Sequence, residues 1–220
     1  MERTVAVARP GAQVVDLDLA SVEVGGAPVL GQIRLLLHAG ECLAILGPSG
    51  IGKTTLLRVI AGLEPGITGR RNVTAASAMV FQEPTLLPWR SARENVTILS
   101  GCAPEDAKAT LSEVGLADKE DLFPHQLSLG QQRRLSLARA IATKPDLLLL
   151  DEPFVSLDHD LVEDMLALFA ALFVRRNLAA ILVTHDEAEA QALATRILSL
   201  GGKPAEILGE RHNVPRPRLR

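Results

Sequence analysis

A lysine and a hydroxyl placed directly behind closely spaced glycines can hold a polyphosphate, and this chain contains that arrangement. Gly47-Pro48-Ser49-Gly50-Ile51-Gly52-Lys53-Thr54 matches G-x-x-x-x-G-K-[ST]. Glycines let backbone N–H groups turn inward around phosphate oxygens, and a helix opening behind them adds its positive dipole end. Lys53 then reaches the β- and γ-phosphates, and the Thr54 hydroxyl is a ligand for Mg²⁺. The surroundings suit the motif, because residues 41–46 read as an apolar strand and residues 54–63 as a helix. A turn with a purely structural role needs no lysine at this point.

Two carboxylates follow a second apolar run. Leu147 to Leu150 leads into Asp151, Glu152 and Pro153, and ligands bind at the carboxyl ends of strands in open α/β sheets. Asp151 is the natural partner of Mg²⁺, and Glu152 is placed to polarise an attacking water as general base. The stretch Ile181-Leu182-Val183-Thr184-His185-Asp186 repeats the pattern one strand later. His185 reads as a contact to the γ-phosphate or to the water, with a strand-end histidine bonded to backbone as the plain alternative.

The elements around these residues predict an α/β fold. Runs at 147–150 and 180–183 have the unbroken apolar character of parallel strands covered on both faces, with a helix over 161–174 between them. A doubly wound, mostly parallel sheet follows. Residues 14–37 alternate and are broken by Gly25, Gly26 and Pro28, which predicts an antiparallel β-meander. Residues 91–114 read as helical with a break at 101–104, and residues 135–143 as a helix ending before Pro145. The whole is expected as a single nucleotide-binding domain over 1–220: a nucleotide-binding core with its β-subdomain over about 14–80 and 145–200, a helical subdomain over about 83–144, and a solvated C-terminal tail over 201–220.

Composition narrows the function classes. With 220 residues, 47% of them hydrophobic, the chain can bury a substantial core. A net charge of −3 lacks the clustered positive charge that nucleic acid requires, so no nucleic-acid partner is expected. Cys42 and Cys102 are too few for a disulfide framework or a cysteine metal site, which favours a reducing cytoplasm. The N-terminus lacks a signal-peptide pattern, and no apolar run is long enough to cross a bilayer. The mean hydropathy of +0.20 hints at buried interfaces without naming a partner.

Further segments carry a family resemblance. VFQEPTLLPW (residues 80–89), HQLSLGQQRR (125–134), LLLLDEP, SLD (156–158) and VTHDEAEA (183–190) follow the phosphate loop in order. The series resembles the Q-loop, signature, magnesium-carboxylate, D-loop and histidine-switch motifs of ATP-binding-cassette ATPases of the P-loop NTPase class, over about residues 14–200. The resemblance implies that Gln82 senses the γ-phosphate and Mg²⁺, and that Ser128, Gly130 and Gln131 of one subunit cap the ATP held by another. It implies that Asp158 ties the two sites together and that Thr55 joins the phosphate contacts. It further implies a homodimer or paired ATPase, a transmembrane permease, a solute-binding protein in the same system, and a position on the inner face of the cell membrane. QEPTLLPW looks like the segment in importers of nitrate, sulfonate, taurine and similar solutes, with Trp89 as an exposed anchor for the permease.

Several positions depart from the family pattern. Leu129 stands where the signature commonly has glycine, which predicts slower turnover, and Val24 stands where an aromatic would stack on adenine. The 29-residue step from Lys53 to Gln82 is short, which predicts a trimmed β-subdomain, and the chain stops soon after Leu200, which predicts no regulatory C-terminal domain. A soluble cassette ATPase of repair, translation or cofactor assembly is the alternative. A catalytically idle adaptor is disfavoured by the presence of Lys53, Glu152 and His185 together.

Overall fold

The alternating stretches near the N-terminus fold as antiparallel strands, as their pattern predicts. In the computed structural model, which describes residues 11–215, these are β1 (Gln13–Val24), β2 (Ala27–Leu30) and β3 (Ile33–His38). The β1–β2 turn uses Gly25 and Gly26 at φ 60° and 80°, a left-handed region that costs glycine nothing. Val15, Leu17 and Leu19 point inward while Asp16 and Asp18 point out, so one face of the meander is buried.

The unbroken apolar runs become the strands buried on both faces. β4 (Cys42–Leu46) leads through the glycine loop into α1 (Lys53–Ala61). The chain returns through β5 (Ile67–Val73), paired with β1, and then β6 (Ser77–Val80). β7 (Leu147–Asp151), α5 (His159–Arg176) and β8 (Ala179–Thr184) follow later in the chain, and β4, β8, β7 and β6 lie in that order, all parallel. Successive residues serve opposite faces: Leu149, Ile181 and Val183 pack with Leu56 and Ile60 of α1, whereas Leu148, Leu150 and Leu182 pack with Met165 and Phe169 of α5. This is the expected doubly wound arrangement.

Between β6 and β7 the chain builds α2 (Ala92–Ser100), α3 (Pro104–Glu113) and α4 (Leu129–Ala142), which pack on one another. Ser91 and Glu94 close a capping box on α2, Gly101 ends it in a left-handed conformation, and Pro104 opens α3. The break expected at 101–104 therefore has local causes. α4 starts six residues earlier than the expected Leu135, because Ser128 and Gln131 form a second capping box. The polar LGQQRR stretch concealed this first part of the helix.

The C-terminal region differs more. Residues expected to begin the solvated tail form a hairpin of β9 (Arg196–Gly202) and β10 (Ala205–His212), with α6 (Glu187–Leu193) preceding it. β9 pairs parallel with β4, and β10 pairs antiparallel with β9 and touches β2, so the hairpin joins the meander to the parallel strands. Only Ala205 of β10 is buried, which left the strand without a strong alternating signal. The rest of the expected tail, residues 216–220, lies outside the described residues. No helix of the described residues is long and apolar enough to cross a membrane.

Phe169 is fully buried and meets the ring of Phe154 edge-on at 5.5 Å, joining α5 to the turn behind β7. Replacing it with alanine removes that contact and leaves a cavity. Phe169→Ala is expected to lower unfolding stability by about 3–5 kcal/mol, seen as a lower denaturant midpoint with an unchanged slope.

Candidate functional site

The glycine loop owes its course to close packing. Gly50 and Gly52 take φ 76° and 112°, and a Cβ on Gly52 would stand 2.8 Å from a methyl of Leu30. The loop turns where Ile51 N–H donates to the Pro48 carbonyl (3.3 Å), and α1 begins as Leu56 N–H donates to the Gly52 carbonyl (2.9 Å). Ser49 and Gly50 line its exposed outer part. Lys53, 4% exposed, folds back to donate to the carbonyls of Gly47 (2.8 Å) and Pro48 (3.1 Å). Its ammonium also pairs with Glu152 Oε1 at 3.4 Å.

The expected carboxylates and hydroxyl meet at this edge. Thr54 Oγ1 donates to Asp151 Oδ1 at 3.0 Å, across 97 positions of chain. Burial holds the Asp151 carboxyl above the ordinary carboxylate range, aided by the charge of Glu152 and opposed by the Thr54 hydroxyl and Lys53. A hydroxyl beside one carboxylate, with no cluster of three or more histidine, cysteine or acidic side chains among the described residues, suits Mg²⁺. That ion takes one or two protein oxygens and completes its shell with phosphate and water. The expected third ligand, Gln82, is exposed in the loop after β6, and its side chain bonds to neither residue.

Glu152 sits at φ 43°, in the left-handed region, with its N–H bonded to the Val183 carbonyl at 2.9 Å. This pins the residue to the neighbouring strand and aims its carboxylate between Lys53 and His185, whose Nδ1 lies 3.3 Å from Oε2. His185 occupies a tight turn: Asp186 N–H donates to Thr184 Oγ1 (3.0 Å), and the Thr184 hydroxyl donates to Glu189. Lys53, Thr54, Asp151, Glu152 and His185 thus converge from three separate segments. Thr55, half-buried on the first turn of α1, makes no hydrogen bond that would link it to them.

The signature and D-loop residues lie elsewhere on the chain and serve first as helix caps. Ser128 Oγ accepts from Gln131 N–H (3.3 Å), while Gln131 Oε1 accepts from Ser128 N–H (3.0 Å). Leu129, 41% exposed, projects outward. Asp158 caps α5 by accepting from Leu161 N–H (3.0 Å), and a Cβ on Gly130 would meet Leu161 at 3.1 Å. The two helix starts therefore touch within one chain. No bond joins Ser128, Gly130, Gln131 or Asp158 to the Lys53 cluster.

Some residues that shape the site were not among those expected from the sequence. Asn95 is fully buried in α2, accepts from Leu87 N–H (2.8 Å), and donates to the carbonyls of Leu87, Arg90 and Ser91. It fixes the loop that exposes Trp89, which is 68% exposed. Arg133 and Arg139 of α4 bond to the carbonyls of Val155 and Thr85. An asparagine on the apolar stripe of α2 was the available signal for Asn95, whereas nothing local marks Arg133 as buried or Arg139 as bonded to the Gln82 loop.

Glu189 carries a titration consequence. Burial pushes its carboxyl from 4.5 up to about 7; the Thr184 hydroxyl opposes the rise, Asp186 and Glu152 add to it, and His185 opposes it. With the folded value above the unfolded one, the native chain binds more protons between pH 4.5 and 7. The stability linked to this group is complete below that window and is lost as pH rises through it. Glu189→Gln is expected to abolish this component, so its thermal midpoint should gain on wild type between pH 5 and pH 8.

The family model described as ABC transporter matches residues 30–155. The aliphatic sulfonates import ATP-binding protein SsuB of Mycobacterium sp. (strain MCS) is 46% identical over 203 residues, covering 89% of this chain and 82% of the relative. SsuB 1 of Pseudomonas fluorescens is 47% identical over 196 residues, covering 88% and 75%. Among solved structures, an ATP-binding cassette in a dimeric post-hydrolysis state with ADP and Pi superposes at TM-score 0.78 with 27% identity, covering 90% of this chain and 98% of that one. A metal-chelate type ABC transporter in an inward-facing conformation shares the fold at TM-score 0.80 and 24% identity, over 89% and 82% of the two chains. With likeness near half identity along nine-tenths of its length, the chain belongs to the ABC transporter family.

Proposed function

We propose that this chain is the ATP-hydrolysing subunit of an importer for a small organic anion, of the aliphatic sulfonate kind, working in pairs beneath a membrane permease. The observation that carries the hydrolytic reading is the contact set Lys53–Glu152–His185 beside Thr54–Asp151. The substrate class leans on the relatives named as sulfonate importers. A transport role is favoured over a soluble repair or translation ATPase on the same ground. The dimeric cassette of known structure supports pairing, and exposed Trp89 beside the Gln82 loop suits a permease contact.

In this reading ATP takes over the bonds that now occupy Lys53. The ammonium leaves Glu152 and the loop carbonyls for the β- and γ-phosphates, which backbone N–H groups of residues 47–55 surround. Thr54 and Asp151, joined by Gln82 as its loop moves in, would hold Mg²⁺, which would supply positive charge to offset that of the phosphates. Glu152, released by Lys53, accepts a proton from the attacking water, and His185 holds that water and the γ-phosphate in line. Ser128, Gly130 and Gln131 of a second copy offer a hydroxyl and helix N-terminal N–H groups to the same γ-phosphate, with Asp158 linking the two sites. ATP then stabilises the closed pair, and hydrolysis returns the population to the open one. Residues 83–144 would move as a helical subdomain against the core. The system would sit on the inner membrane face and include a solute-binding protein.

Glu152→Gln decides the hydrolytic claim. The variant should lose on the order of 10²-fold or more in kcat, and with Mg-ATP it should run as a dimer in light scattering. Equal turnover in both proteins overturns the assignment. The same substitution removes the anion now paired with Lys53, so ADP, which cannot be hydrolysed, should bind several-fold more tightly by calorimetry, on the order of 1 kcal/mol. Co-purification with a polytopic membrane subunit tests the importer reading.

A further inference from the structure

Arg133 is buried at 5% exposure in α4, yet only one of its nitrogens has a partner: Nη2 donates to the Val155 carbonyl at 3.1 Å. Nε and Nη1 are buried with no hydrogen bond among the described residues. A buried guanidinium left this incomplete is destabilising, so the position is expected to gain from a carboxylate. Burial pushes the Arg133 guanidinium below its ordinary range, and the negative charge of Glu83 opposes that. Glu83 is exposed, lies directly after Gln82, and forms no ion pair among the described residues. A carboxylate on the Gln82 loop thus acts on an incompletely paired cation of the signature helix, in a loop that Arg139 already bonds at the Thr85 carbonyl.

Through Val155 the same guanidinium is tied to the backbone turn that holds Glu152. Val155 N–H donates to the Glu152 carbonyl at 3.3 Å, closing the turn in which Glu152 takes its positive φ. Two turns along the same helix, Arg139 donates to the carbonyl of Thr85 at 2.6 Å. α4 is thus bonded both to the turn behind Glu152 and to the loop behind Gln82.

We propose that Arg133 is a positioning residue for hydrolysis, holding the Glu152 turn through Val155 and accepting Glu83 as its ionic partner when the Gln82 loop closes on nucleotide. Glu83 follows because it is joined to Gln82 by one peptide bond, and a shift of the loop carries both. Pairing completes the bonds of Arg133 and stiffens the Glu152 turn, so the signature helix sets the carboxylate firmly only in the loaded state. The proposal rests on the reading of Glu152 as the group that activates water.

The test compares steady-state ATPase activity of the full chain with Glu83→Gln, Arg133→Gln, Arg133→Lys and the Glu83→Gln/Arg133→Gln double variant. Each glutamine variant should lose about tenfold in kcat with KM and ADP affinity within about twofold, and the double variant should fall no lower than the weaker single. Arg133→Lys should retain most of the activity. Thermal midpoints report folding, and exposed Glu83 keeps the test available should Arg133→Gln prove insoluble. Wild-type kcat in Glu83→Gln overturns the proposal, as do losses that multiply in the double variant. Glu152→Gln, assayed alongside, separates the two readings: its loss of turnover together with an unaffected Glu83→Gln removes only the role of Arg133, while its full activity removes the hydrolytic reading beneath it.

Discussion

Lys53 has to sit inside the fold with its positive charge and, before nucleotide arrives, it needs an anion. Glu152 supplies it at 3.4 Å, with the Gly47 and Pro48 carbonyls completing the ammonium's bonds. An isolated buried charge is far too costly to keep, so this pair constrains what surrounds it. The loop must bring its carbonyls back over the helix start, and Glu152 must leave the strand in a left-handed conformation to face across the sheet. Nucleotide enters a place already organised for opposite charges.

Strand register turns that local demand into a site. β4 pairs with β8 so that Leu46 lies beside Thr184, and β7 pairs with β8 so that Asp151 lies beside Val183. The glycine loop, the two carboxylates and His185 therefore emerge at one level. Because each strand is buried on both faces, a slip by one residue would exchange the faces served by Leu148 and Leu149 and pull the loops apart. The apolar core and the charged edge are thus two consequences of one alignment. Away from these contacts, Ser128 and Asp158 use their side chains to cap α4 and α5, which leaves the N-terminus of α4 on the surface with Leu129 beside it.

Much of this was legible in linear order. The phosphate loop needs strand, glycines and helix in succession, and residues 41–63 provide that within one local segment. The apolar runs before Asp151 and His185 announced buried parallel strands, and the Gly101–Pro104 break in the helices was visible in residue type. β10 was not legible, since it buries little beyond Ala205 and is held by pairing with β9. The first turn of α4 was hidden because its stability comes from a capping box and from packing. Asn95 and Arg139 carry no motif, Arg133 stands in the signature segment without a role of its own, and an arginine reads as exposed until the fold closes over it.

By itself the amino-acid sequence determined the chemistry available: a lysine and hydroxyl for phosphate, two carboxylates, a histidine, and the helices and strands that carry them. Those follow from short-range rules of backbone conformation, periodicity and capping. Only the tertiary structure decided which of these groups meet. Lys53 touching Glu152, Thr54 touching Asp151, and buried Arg133 bonded to Val155 through one nitrogen with its other two unpaired join segments far apart in the chain. Their geometry is set by sheet register and by burial, quantities that no local stretch of residues contains.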